Sequence, residues 1–192
     1  LTADTLATLR QFHEQTGDEP AVAALLARGY LASGDVASLQ GLARQKMASD
    51  QASADVLLHL AETIRNSDAG LQRELVARAR DIAGLTIPVA LAEARLLAEA
   101  DHADEGLQLI DRAMLESPLQ DPLRRRGMLA RAAYLIDFDE PSAALAEMSA
   151  LASEYAGSLE VQQFVLSQPI AWGDSTLIAR AMANLKRLLG SL

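Results

Sequence analysis

His59 and Glu62 stand three residues apart in a segment whose apolar spacing is helical, so an imidazole and a carboxylate would share one helix face. Such a pair could begin a metal site. A metal needs further ligands and groups that orient them, and no third ligand stands nearby in the sequence. The pair therefore reads as an ordinary groove or surface pair. His102 falls in a turn, where water surrounds it, and His13 lies on the apolar spacing of the first helix. Cysteine is absent, which excludes thiolate catalysis, disulfides and zinc–sulfur sites together. The chain has neither a Gly-x-Ser-x-Gly elbow nor a glycine-rich phosphate loop, so hydrolase and nucleotide chemistry lack their parts. Carboxylates are plentiful, but on helix surfaces they mostly solvate, and an acid–base pair needs burial to shift a pKa. The expectation is no catalytic residue, no cofactor and no metal.

Charge narrows the partners. The chain carries 17 Lys and Arg against 26 Asp and Glu, a formal net charge of −9, with a pI near 4.8. Nucleic-acid binding needs clustered cations, and the one basic run, Arg124 to Arg126, is a single helical turn. No stretch of about 18 apolar residues is present, so no direct membrane insertion is expected. No basic segment followed by an apolar one marks a signal peptide. Lack of cysteine suits the cytoplasm and the periplasm alike. The chain starts at Leu1 within a helical pattern, which suggests a processed chain or a segment of a longer array.

Composition and spacing give the elements that must position any site. Alanine and leucine, strong helix formers, make up about a third of the 192 residues. Aromatics, which favour strands, are only 4%. Leu6, Leu9, Phe12 and His13 mark a first helix that Gly17 stops, and Pro20 opens the next. Turns are expected at Gly34–Asp35, Ser49–Asp50, Asn66–Gly70, Asp101–Asp104 and Asp137–Pro141. The returning helix of the second pair shows Leu71, Leu75, Val76, Ala79 and Ile82 as its inner face. Pro169 breaks the regular pattern, Trp172 reads as a hydrophobic plug in the turn after it, and Met114, Met128, Met148 and Met182 read as core gap fillers. A last amphipathic helix carries Leu177, Ile178, Ala181, Met182, Leu185, Leu188 and Leu189 on one face and ends at Gly190. About eleven helices result.

The spacing repeats. Small residues at Ala27, Ala61, Ala94 and Ala132 are 34, 33 and 38 residues apart, each followed by a large residue three positions on, at Tyr30, Ile64, Leu97 and Leu135. In the third unit Gly106, Ile110, Ala113 and Pro118 complete the pattern. A small side chain on one helix lets its partner approach, and large neighbours fill the flanks. This ladder resembles the tetratricopeptide repeat, whose period is about 34 residues. Ala23, Leu57, Ala90 and Met128 stand where that family carries an early tryptophan, which leaves open a related solenoid of helical pairs. The resemblance implies an all-α, right-handed α-solenoid of antiparallel helix pairs in one domain. Residues 1–16 would be a half repeat, 20–51, 52–85, 87–118 and 123–157 four repeats, and 158–192 an irregular capping pair.

Arrays of this kind present surfaces rather than enclose chemistry. The resemblance implies a concave groove lined by the first helix of each repeat, with Arg28, Leu31, Leu58, Glu62, Arg65, Leu91, Arg95, Glu99 and Arg126 exposed in it. Arg heads beside Leu methyls suit an extended peptide or a partner helix of some acidic character. Some family members clamp a terminal carboxylate with Lys and Asn. Here Ala24, Arg28, His59, Pro88 and Ala92 occupy those places, so only Arg28 could serve. The function expected is a non-catalytic scaffold for a protein or peptide partner, within a bacterial polypeptide by its alanine-rich style. The alternatives are a spacer or homo-oligomer joined through the half-exposed first helix, or a small-molecule sensor near His59.

Overall fold

Helical spacing becomes helix along nearly the whole chain. The computed structural model describes residues 3–16, 19–116, 121–138 and 140–190, and among these the protein is all-α, with eleven helices, one 3₁₀ turn and no strand. The stop expected at Gly17 and the terminal Pro118 lie outside the described residues. The chain forms two compact units, Leu1–Leu96 and Leu97–Leu192.

The first unit holds α1 (Ala3–Thr16), α2 (Pro20–Ser33), α3 (Val36–Ala48), α4 (Ala54–Ile64), α5 (Ala69–Ala83) and most of α6 (Ile87–Ala98). Each helix packs on its chain neighbour through α5, and α2 also packs on α4 and α3 on α5. The small residues of the ladder are where close approach requires them: Ala27, Ala61 and Ala94 are all buried, as are Ala43 and Ala79 on the returning helices. Leu39, Leu57, Leu60, Ile64 and Leu75 fill the space between, all inaccessible to water. α1 splits its apolar face, with Leu6 and His13 buried, Leu9 half-buried and Phe12 exposed.

The second unit holds α7 (Ala103–Glu116), α8 (Asp121–Asp137), α9 (Pro141–Glu154), α10 (Leu159–Ser167), the 3₁₀ turn Pro169–Gly173 and α11 (Ser175–Leu189). α8 packs chiefly on α9 and α10 on α11, while α9 also meets both α10 and α11. Gln162 is fully buried in this core. Its amide donates to the Tyr155 carbonyl at 3.0 Å and accepts from Asn184 at 3.4 Å, so the polar group is satisfied.

Local chemistry sets the boundaries. Gly34 adopts φ +72°, and its N–H and that of Asp35 return to the carbonyls of Leu31 and Tyr30, closing α2. Asp35, Ser53, Asp68, Ser158 and Asp174 each accept a first-turn backbone N–H, capping α3, α4, α5, α10 and α11. Asp68 also accepts from Gln40 of α3 at 3.1 Å. Asp68→Ala removes both bonds and is expected to destabilise the first unit by about 1–2 kcal/mol in urea denaturation, with Asp68→Ser recovering the capping part.

Four residues depart from the expected core. Trp172 is 63% exposed rather than a plug. The 3₁₀ turn buries Ala171 instead, and the indole N–H donates to the Leu166 carbonyl at the end of α10. Met182 and Leu189 are exposed because α11 turns Leu177 and Ala181 inward, and both positions fall off that stripe. Ile82 is exposed in the final turn of α5, a helix of 15 residues packed on an α4 of only 11.

Candidate functional site

The residues expected in the groove fall on α2, α4 and α6 in the first unit, with Arg65 just past the end of α4, and Glu99 and Arg126 in the second unit. Arg28 and Leu31 are exposed on α2 beside another exposed leucine, Leu25. Leu58 is half-buried on α4 and packs against the core, and Leu91 is half-buried on α6. Glu62 of α4 is bracketed by cations: Arg95 of α6 approaches to 3.2 Å and Arg65, one turn on, to 3.9 Å. The two arginines keep about a third of their side-chain surface in water and Glu62 a little over half. An exposed ion pair contributes under about 1 kcal/mol, so the cluster positions charge more than it stabilises the fold.

His59 lies half-buried on α4, its Nε2 enclosed and without a hydrogen-bond partner among the described residues. Among the described residues no group of three or more His, Cys, Asp or Glu could hold a metal ion. His102 is exposed and its Nδ1 lies 3.0 Å from Glu105. Arg126 is exposed on α8, and Glu99 is exposed in the turn that follows α6.

Two polar constructions escape a reading of the sequence by motif. In the second unit Arg131 of α8 donates to Asp111 of α7 at 2.8 Å and to Glu147 of α9 at 2.6 Å, tying three helices together. Glu147 is largely buried; burial raises its carboxyl above the ordinary range, Arg131 pulls it back, and Asp111 and Glu154 push it further up. Burial works against the Arg131 cation, but its bond to Asp111 and the charge of Glu147 outweigh that and raise its pKa. In the first unit Lys46 is buried on α3, beside a cleft among α1, α2 and α3. Helical spacing did carry that signal, because Lys46 continues the stripe of Leu39, Leu42 and Ala43.

No family model, curated protein or solved structure matches this chain. Its helices are long enough for globular packing, yet none described is long and apolar enough to cross a membrane.

Proposed function

We propose that the chain is a tetratricopeptide-like helical-repeat module that holds a peptide or partner protein on the first helices of its repeats and performs no catalysis. In this reading α2–α3 and α4–α5 are successive antiparallel pairs, and α6 begins the next. Arg28, Glu62 and Arg95 each follow the small residue of the ladder, 34 and then 33 residues apart. The ion pair between Glu62 and Arg95 is the observation that carries the proposal. It brings equivalent positions of two first helices within 3.2 Å, as side-by-side stacking of hairpins requires. The packing of α2 on α4 supports the same order one repeat earlier.

The surface so formed mixes guanidinium groups with leucine side chains. Its complement is a segment with carboxylates beside apolar anchors. Panning a displayed peptide library on the protein should enrich such acidic, leucine-containing sequences. The selected peptides should bind the Arg95→Glu variant at least about tenfold more weakly, through like-charge repulsion, while Arg187→Glu on α11 leaves them unaffected. Equal affinity for the native protein and Arg95→Glu would remove this face from the proposal.

A further inference from the structure

Two apolar stripes run side by side along α11. The first fastens it to its neighbours. Leu177 and Ala181 are buried, and Asn184 donates to the Ala152 carbonyl of α9 at 3.0 Å and to the Gln162 side chain of α10 at 3.4 Å. Leu188, half-buried, continues that line, so its members stand 4, 3 and 4 residues apart. One residue on, Ile178, Met182, Leu185 and Leu189 repeat the same spacing. Ile178 and Leu185 are half-buried, while Met182 and Leu189 keep 53% and 55% of their surface exposed. Spacing of this kind is what one helix presents to another that runs alongside it. Among the described residues α11 packs chiefly on α10, α9 and the 3₁₀ turn, and none of these covers Met182 or Leu189. A helix that closes an array needs a polar outer face, and this face is apolar.

Charge decides what kind of helix fits. α11 carries Arg180, Lys186 and Arg187 and no carboxylate, in a chain of net charge −9. Arg180 is turned to α9, where it donates to the hydroxyls of Ser149 and Ser153 at 3.2 and 2.7 Å, and Arg187 donates to the Ala156 carbonyl just past α9 at 3.4 Å. Lys186 instead borders the second stripe, four residues after Met182 and three before Leu189. It is exposed and makes no ion pair among the described residues. A second copy of α11 would set like charge against like. An anionic lipid surface would repel the negative remainder of the chain, and it takes a broad apolar face rather than a narrow line. Carboxylates on a partner helix meet the charge of α11 directly.

We propose that the stripe Ile178, Met182, Leu185 and Leu189 docks an acidic amphipathic helix of a partner protein. Apolar anchors of that helix interleave with the stripe, and a carboxylate at its edge faces Lys186. The stripe shares no residue with the face that includes Arg95, so the two readings stand or fall separately.

The probe is a synthetic peptide of three heptads with leucine at positions a and d and glutamate at e and g, and its control carries lysine at e and g. Each is titrated into the whole chain and followed by the Met182 methyl NMR signal and by peptide helicity in circular dichroism. The glutamate peptide is expected to shift the Met182 signal to saturation and to gain helix, and the lysine peptide to bind at least about tenfold more weakly. The double variant Met182→Gln, Leu189→Gln changes only exposed side chains. It should keep its thermal midpoint and weaken the glutamate peptide at least about tenfold, read by helicity. Lys186→Glu should narrow or reverse the preference between the two peptides, and Arg95→Glu should leave the Met182 shift as it is. No saturable shift at Met182, equal binding of both peptides, or unweakened binding by the double variant overturns the proposal. So does a dimer of the native chain in sedimentation that the double variant dissolves, which makes a second copy the occupant, and so does a Met182 signal that responds to phosphatidylglycerol vesicles but not to the peptide.

Discussion

Leu60→Ala should destabilise the first unit by about 3–4 kcal/mol, the largest single-residue effect expected in this protein. Leu60 is on α4, the helix that meets α2, α3 and α5 together, and none of its surface reaches water. Truncation forfeits the transfer free energy of the lost carbons and leaves a cavity walled by neighbours already in close contact. The ladder sharpens the expectation. Ala61, adjacent in sequence, keeps the helices too near one another for them to close over a void. Leu58, two positions away and half-buried, serves as the comparison: Leu58→Ala should remove less than about half as much stability. Urea denaturation followed by circular dichroism measures both. A Leu60→Ala loss under about 1 kcal/mol would mean that α4 is not the packed centre of its unit.

The sequence makes the helices legible because their punctuation is local. A side-chain oxygen at Asp35, Ser53, Asp68, Ser158 or Asp174 needs only the next two or three backbone N–H groups to act. The buried alanines were legible for a related reason: a small residue at a fixed helical offset has one use, which is close approach. Polar side chains are harder. Lys46 follows the buried stripe by arithmetic, but a lysine on such a stripe can also reach along the surface to water, so spacing does not say whether its charge is enclosed. Trp172 escaped because outside a regular helix no spacing says which way a side chain points, and this 3₁₀ turn buries Ala171 and leaves the indole outside. Arg131 escaped because its two carboxylates come from helices on either side, 20 and 16 residues away. Of the groove residues, the sequence placed Glu62 and Arg95 on one register, and their meeting at 3.2 Å depends on helix packing that no local pattern contains.

Arg131→Met should destabilise the second unit by about 2–3 kcal/mol at neutral pH, and the deficit should shrink in acid. The size follows from which partner is left behind. Asp111 keeps about half its surface in water, so losing its cation costs under about 1 kcal/mol. Glu147 is only 15% exposed, and without Arg131 its carboxylate is a buried charge with no counter-ion. The sign with pH follows from its elevated titration. Burial favours the protonated form in the folded state, so the contribution of Glu147 to stability is greatest below the ordinary glutamate range and is lost as pH rises through its folded value. In Arg131→Met the one group that pulls this value down is gone, so the folded carboxyl titrates higher still and the loss extends further toward neutrality. Near pH 4 both proteins hold Glu147 largely protonated, and their stabilities should converge. Adding Glu147→Gln to Arg131→Met removes the stranded charge and should recover at least about 1 kcal/mol, a coupling that a double-mutant cycle isolates. A deficit that stays constant from neutral pH to pH 4, with no recovery in the double variant, would assign the role of Arg131 to the packing of its aliphatic stem.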